Sequence, residues 1–279
     1  MVMKRHKRIA ASATTYILLI IALVWTIFQV YWMIKSSITV NSEMYVARPS
    51  LIAKHYTFEN YVDLFTKTEF PRALLNSLMI AFLTTVCCLL ISILGSYAMT
   101  RLKYPGRRFF KTSIIFSYLI PTAVLFVPMY VFVSKLGFYD NKWALLIIYP
   151  TTVVPYCCYM LMSYFKAIPY ALEEAALIDG CTRMKSLRYI ITPIALPGIA
   201  VVATFAFTMS WNEYLYAMIM TTSPAQQTAV VAISSFKYAD SAIWGRIMAA
   251  SVLTSLPVTI IYIVAQAQLI SGKSDGSVK

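Results

Sequence analysis

The sequence predicts an all-α membrane protein of six transmembrane helices, and three observations carry that expectation. Hydrophobic residues make up 59% of the 279-residue chain and charged residues 13%, with a mean hydropathy of +0.69. That composition belongs to the membrane class. Six charge-free runs, 9–34, 73–100, 112–134, 143–165, 189–212 and 247–272, reach the roughly 20 apolar residues that a spanning helix needs. They place spans at about 12–34, 74–99, 113–134, 143–165, 194–216 and 247–269 within a membrane domain covering 9–272. Finally, fifteen of the 24 Lys and Arg fall in 1–8, 101–111, 166–188 and 273–279, which makes those segments cytoplasmic and puts both termini inside.

Span one carries Trp25, Tyr31 and Trp32 towards its outer end, as an interfacial belt does. It follows a basic tail, but it is too long for a signal-peptide core and no small-residue cleavage site follows it, so it is expected to stay in the chain. Segment 35–72 is too polar to span and reads as a small extracellular cap, with a helix starting near Thr57 as N-cap. Span two ends in Gly95, Ser96 and Ala98, a small-residue face that lets another helix come close, and Pro105-Gly106 turns the chain into span three. Pro121, Pro128, Pro150 and Pro155 lie in spans three and four. Proline removes a backbone donor, so these positions suggest helices bent around a cavity.

The uncharged stretch 214–236 is not counted as a span, because Thr221-Thr222-Ser223-Pro224-Ala225-Gln226-Gln227-Thr228 is too polar for hydrocarbon. It reads as an outer loop, partly re-entrant. Tyr118, Tyr149, Tyr156, Asn212, Glu213 and Tyr214 are candidate pathway residues: tyrosine offers a solute both a stacking face and a hydroxyl, and Glu213 closes span five.

The net charge of +13 is accounted for by topology and by contact with anionic lipid. The basic residues are scattered over span ends, which argues against nucleic-acid binding. The cysteines, Cys87-Cys88, Cys157-Cys158 and Cys181, have no metal-ligand spacing and read as reduced, small apolar residues. His6 and His55 have no partner motif. There is no phosphate-binding glycine loop and no nucleophile–base pair, so the chain is expected not to be an enzyme and to hold no metal.

The densest polar stretch of the second half is the cytoplasmic loop 166–193. Pro169 opens a short helix at a position where a missing N–H costs nothing. Glu173 and Glu174 suit its positive end, Leu172, Ala175, Ala176 and Leu177 give a narrow apolar face, and Gly180 fits the left-handed residue that ends it. Thr182 is placed to cap a second helix, with Met184, Leu187 and Ile191 on one side and Arg183, Lys185 and Arg188 elsewhere. The residues alone leave two roles open: resting on lipid headgroups, or being gripped by a partner protein.

Glu174-Ala175-Ala176, three residues, Gly180, nine residues, Ile190, one residue and Thr192-Pro193 resembles the EAA signature of ABC-importer permeases, with Thr192 where that family usually has leucine. The span-two exit 97–107, Asn212 after Trp211, and the ending 268–279 are similar to the carbohydrate-importing, maltose-type subfamily, in which this chain resembles the shorter, six-span permease. The resemblance implies a type I ABC importer permease fold and a set of partners: a second permease, a dimer of cytoplasmic ATPases that bind the ATP and magnesium, an extracellular solute-binding protein and a sugar. It also implies a coupling helix made by Glu173, Glu174, Ala175, Ala176, Asp179, Gly180 and Pro193, a second ATPase contact from the tail 273–279, and a loop 221–237 that probes the binding protein's cleft. Other cargoes, such as a polyol, a glycerol phosphate or a peptide, fit the same machinery. A secondary transporter would need charged residues deep in the spans, and the six runs hold none. A membrane scaffold without transport is the third alternative.

Overall fold

The computed structural model describes residues 2–46, 48–236 and 244–274, with side chains over 14–46, 48–236 and 244–266. Lys237 of the polar loop and residues 275–279 of the tail lie outside the described residues. The chain runs through α1 (Val2–Ser37), α2 (Asn41–Met44), α3 (Glu59–Thr66), α4 (Phe70–Arg101), α5 (Arg107–Leu119), α6 (Thr122–Lys135), α7 (Ala144–Ala167), α8 (Tyr170–Ile178) and α9 (Arg183–Ser186). A π turn (Leu187–Ile191) follows, then α10 (Thr192–Ile194), α11 (Leu196–Trp211), α12 (Leu215–Met220), α13 (Ala229–Ser235) and α14 (Trp244–Ser274).

Among the described residues four stretches are long and apolar enough to cross a membrane unbroken: Thr14–Ser37, Phe70–Arg101, Ala144–Ala167 and Trp244–Gln266. The other two expected spans are bent pairs. α5 and α6 meet at 98°, and the segment Arg183–Ile194 meets α11 at 82°. The first break falls at Pro121, whereas Pro128, Pro150 and Pro155 sit inside continuous helices. Of the four prolines expected to bend spans three and four, one coincides with a break. The second break falls between Pro193 and Pro197, neither of which has an N–H to offer the preceding turn. The helix widens to π register before the first and turns before the second.

The chain divides into two compact units. The first comprises Met1–Thr68 with Ser235–Leu253. Its small cap is organised by Asn60, whose amide donates to the carbonyls of Ser37 (3.0 Å) and Thr39 (3.1 Å). Gly245 is required beside it, since a Cβ there would stand 2.4 Å from the Asn60 amide oxygen. The N-cap of α3 is Phe58 and not Thr57 as expected; the Thr57 hydroxyl, one residue earlier, accepts from the Glu59 N–H at 3.1 Å. His55, read as partnerless, bonds Glu43 through Nδ1 at 2.7 Å.

The second unit comprises Glu69–Ser234 with Thr254–Lys279. Here α4, α7 and α11 pack around Cys88, Val153, Cys157, Leu161, Phe165, Val202 and Ala206, all almost fully buried. The small-residue face of α4 meets α7 as expected: Ser96 donates to the Cys158 carbonyl at 3.1 Å, and a Cβ on Gly95 would lie 3.5 Å from Cys158 Sγ. Cys87, by contrast, is exposed, and Cys181 is half-buried. α11 approaches α7 more closely still, because a Cβ on Gly198 would fall 2.5 Å from the Tyr164 ring.

At the opposite end of this unit from α8 the polar loop is held by α4 and by the α6–α7 turn. Asn76 donates to the carbonyls of Ala225 (3.1 Å) and Gln227 (3.0 Å), and Ser77 accepts from the Ala229 N–H at 2.8 Å. Lys142 Nζ donates to Asn76 Oδ1 at 2.7 Å. Asp140 accepts from the Ser223 hydroxyl and from its N–H. Polar backbone that hydrocarbon could not satisfy is therefore paired within the protein.

Two outcomes are expected. Gly198→Ala destabilises the permease by about 1–3 kcal/mol through overpacking against Tyr164, read as a lower midpoint in thermal unfolding in detergent. The Ser223 hydroxyl and N–H hold the Asp140 carboxyl below its ordinary value of 3.8. The clamp is thus complete above the ordinary carboxylate range and weakens as pH falls through the lowered value. Amide exchange over 221–228 should rise at acid pH in the native chain, and at neutral pH in Asp140→Ala.

Candidate functional site

The EAA stretch folds as a short helix pinned along one side. α8 begins at Tyr170, one residue later than expected, with Pro169 extended before it at φ −58° and ψ 136°. It ends in a Schellman arrangement: the Gly180 N–H donates to the Leu177 carbonyl at 3.2 Å, and the Cys181 N–H to the Ala176 carbonyl at 2.9 Å. Gly180 is left-handed at φ 83°, a conformation that glycine adopts without a Cβ clash. Thr182 then caps α9 by accepting from the Lys185 N–H at 3.3 Å. Leu187 and Ile191 are buried as expected, but Met184 is exposed.

The inward side of α8 is charged. Glu173 is 5% exposed and accepts from the Tyr97 hydroxyl at 2.5 Å. Its other oxygen lies 3.7 Å from Arg101 Nε. Arg101 Nη2 donates to the carbonyls of Phe165 and Ile168 at the end of α7, both at 2.6 Å, and Phe165 also accepts from the Ile168 N–H at 3.3 Å. The Tyr170 ring covers the guanidinium at 4.2 Å, and its hydroxyl donates to the Thr100 carbonyl at 2.6 Å. The end of α4, the end of α7 and the start of α8 therefore share one buried polar cluster. Arg107 reinforces the same corner, bonding the Met99 carbonyl at 2.8 Å and the Thr100 carbonyl at 2.6 Å.

This arrangement sorts the seven expected coupling residues. Glu173 and Ala176 are buried within the chain; Glu174, Ala175, Asp179 and Gly180 are exposed. Ile178 joins that outer face at 85% exposure. Pro193 is exposed too and belongs to the bend before α11. Sequence reasoning overlooked Tyr97, Arg101 and Tyr170. Arg101 had been read as topology alone, although it is a charge at the end of a small-residue helix face.

The six pathway candidates do not form one group. Tyr118 and Tyr156 stand with ring centroids 5.3 Å apart, and Tyr156 meets Phe205 at 5.7 Å. Tyr149 is 1% exposed. Glu213 caps α12 by accepting from the N–H groups of Tyr216 (3.0 Å) and Ala217 (3.1 Å), Tyr214 packs against the outer core, and Asn212 closes α11 at the surface.

Residues 91–273 match the family described as binding-protein-dependent transport system inner membrane component. The inner membrane ABC transporter permease protein YcjP of Escherichia coli (strain K12) is 34% identical over 99% of this chain and 100% of its own length. The trehalose/maltose transport system permease protein MalG of Thermococcus litoralis is 33% identical over 91% of each chain. Among solved structures, a chain of a bacterial ABC transporter importing the acidic polysaccharide alginate superposes with a TM-score of 0.81 at 21% identity, covering 92% of this chain and 95% of that one. The fold is that of type I ABC importer permeases.

The buried cluster separates adjacent glutamates. Glu173→Ala strands Arg101 and is expected to cost about 3–5 kcal/mol, with increased proteolysis in 170–183. Glu174→Ala should leave both stability and proteolysis unchanged. Parallel thermal unfolding and limited digestion of the two variants checks the contrast.

Proposed function

The chain belongs to the family of inner-membrane components of binding-protein-dependent transport systems, and on that premise we propose that it forms, with a second permease, the pathway of an ATP-driven sugar importer. The single observation that carries the driving mechanism is α8: a rigid helix pinned on its inner side, with Glu174, Ala175 and Ile178 turned outward. On this reading the outer face seats in a partner ATPase, where Glu174 meets polar groups, Ala175 permits close approach and Asp179 orders the turn. Closure of the ATPase dimer, which holds the ATP and magnesium, then moves α8 as a rigid body. The buried charge cluster carries that movement to the ends of α4 and α7.

Loop 166–193 is accordingly the cytoplasmic coupling loop, and the tails 1–8 and 273–279 lie on the same side, in keeping with the charge asymmetry. An extracellular binding protein delivers the solute to the polar loop. A sugar cargo is supported by the trehalose/maltose permease relative. Tyr118, Tyr156 and Phe205, an aromatic group within spans, suit stacking on a sugar ring. Tyr149 and Glu213 serve packing and helix capping in this scheme. The chemistry of ATP hydrolysis lies on the partner.

Gly180 provides the test. Among the described residues nothing beyond its chain neighbours lies within 4 Å of a Cβ built there, so Gly180→Asp costs the chain itself only about 1 kcal/mol in backbone strain. In proteoliposomes holding the complete importer, this variant is expected to insert and assemble while disaccharide uptake and sugar-stimulated ATP hydrolysis fall to background. Uptake at the unmodified rate would remove α8 from the coupling role. A panel of disaccharides, polyols and glycerol phosphate in the same assay identifies the cargo.

A further inference from the structure

Beside α8 the second unit forms an open cavity of about 890 Å³, of which the proposed coupling role uses only the Glu174 edge. Its walls come from the α4 exit, the turn after it, the start of α5, one side of α8 and the start of α9, and they carry four cations: Arg101, Lys103, Arg107 and Arg183. Glu173 and Glu174 also line it, leaving a net excess of two positive charges. Glu173 is already engaged by Tyr97 and Arg101. Arg107 is committed to the backbone carbonyls of Met99 and Thr100. Lys103 and Arg183 are exposed at the rim. Arg101, whose side chain is 1% exposed, has no hydrogen-bond partner for Nη1 among the described residues. A buried guanidinium nitrogen without an acceptor is costly, and the wall it belongs to faces a cationic space large enough for a headgroup.

We propose that this cavity binds the phosphodiester headgroup of an anionic phospholipid from the membrane surface on the side of α8. Guanidinium and ammonium groups are the usual ligands of phosphate oxygens. The lipid is favoured over a free phosphate by what adjoins the rim. Immediately after Arg107 and Arg108, Phe109 and Phe110 are 71% and 54% exposed, and α5 continues with exposed Phe116 and Leu119 and buries no residue along its length. A headgroup in the cavity would therefore have an apolar surface beside it for its acyl chains, with aromatic residues at interfacial depth. Tyr104, in the same wall, packs on Phe110 at 6.3 Å between centroids and links the polar and apolar parts. Because the cavity shares Glu173 and Arg101 with the base of α8, a bound headgroup would brace the helix from beneath. This site lies outside the transport reading, since lipid binding requires neither cargo nor ATP.

The test uses the complete importer in nanodiscs of phosphatidylcholine with a minor fraction of phosphatidylglycerol, followed by detergent extraction and mass-spectrometric counting of retained lipid. Each basic residue near an anionic group contributes about fivefold in affinity, so Lys103→Gln/Arg183→Gln should lower phosphatidylglycerol retention roughly tenfold or more, with phosphatidylcholine unchanged. Arg108→Gln/Lys111→Gln removes the same charge from the same surface outside the cavity and should retain phosphatidylglycerol as the native chain does. Equal loss in both double variants would mean diffuse attraction and overturn the site. Unchanged retention in the first variant would overturn it as well. So would displacement of the lipid by millimolar inorganic phosphate, which would mark a free-anion site, or full retention only after the ATPase is stripped away, which would mark the cavity as a seat for an ATPase side chain.

Discussion

The structure depends most on a buried contact between Arg101 and Glu173. An ion pair removed from water is expensive unless its remaining hydrogen-bonding groups are satisfied. Here part of that satisfaction comes from the ends of three helices: the Tyr97 hydroxyl on α4, the Phe165 and Ile168 carbonyls at the end of α7, and the Tyr170 ring on α8, while Arg101 Nη1 and Glu173 Oε2 have no hydrogen-bond partner among the described residues. Carbonyls at a helix end normally turn to water or a cap. In this chain they receive a guanidinium from a neighbouring span. The short helix α8 could not hold its place by its own propensity, since isolated helices of this length are unstable. It is fixed because its first turn completes another helix's hydrogen bonds.

At the other end of the second unit the same principle recurs with neutral groups. Asn76 and Ser77 open α4 and supply the polar loop with the partners that lipid would deny it. α4 thus anchors both polar elements of its unit, with Asn76 near its start and Arg101 at its end. Between these ends Ser92, Gly95 and Ser96 bring α4 close to α7, and close packing, with larger apolar side chains around it, is the source of cohesion.

Much of this was legible in the sequence. Gly180 as a left-handed terminator, Thr182 as a cap and the small face of α4 follow from local chemistry that tertiary context did not override. The orientation of α8 was not legible. The sequence puts both alanines on the face offered to a partner, yet Ala176 turns inward with Glu173 while Ala175 and Ile178 turn out. Hydropathy cannot decide such a case when both the neighbours inside the chain and the surface outside it accept apolar groups. The breaks were legible only in part: Pro121 breaks a helix, whereas Pro128, Pro150 and Pro155 do not, because neighbouring packing decides whether a missing N–H becomes a bend. Among the pathway candidates, Glu213 looked like a carboxylate at a span end. Its use as the acceptor for the first amides of α12 depends on a helix that began only after the span had closed.

The 82° corner between Arg183–Ile194 and α11 has a mechanical meaning. Two stiff arms joined at nearly a right angle act as a bell crank, so a sideways displacement of the first arm emerges along the length of the second. The gearing is set by the corner's compliance, and that corner is built from a π turn and two prolines, where the backbone ladder is thinnest. Stiffening it would shorten the throw of the crank, and loosening it would let the stroke dissipate before it reached α11.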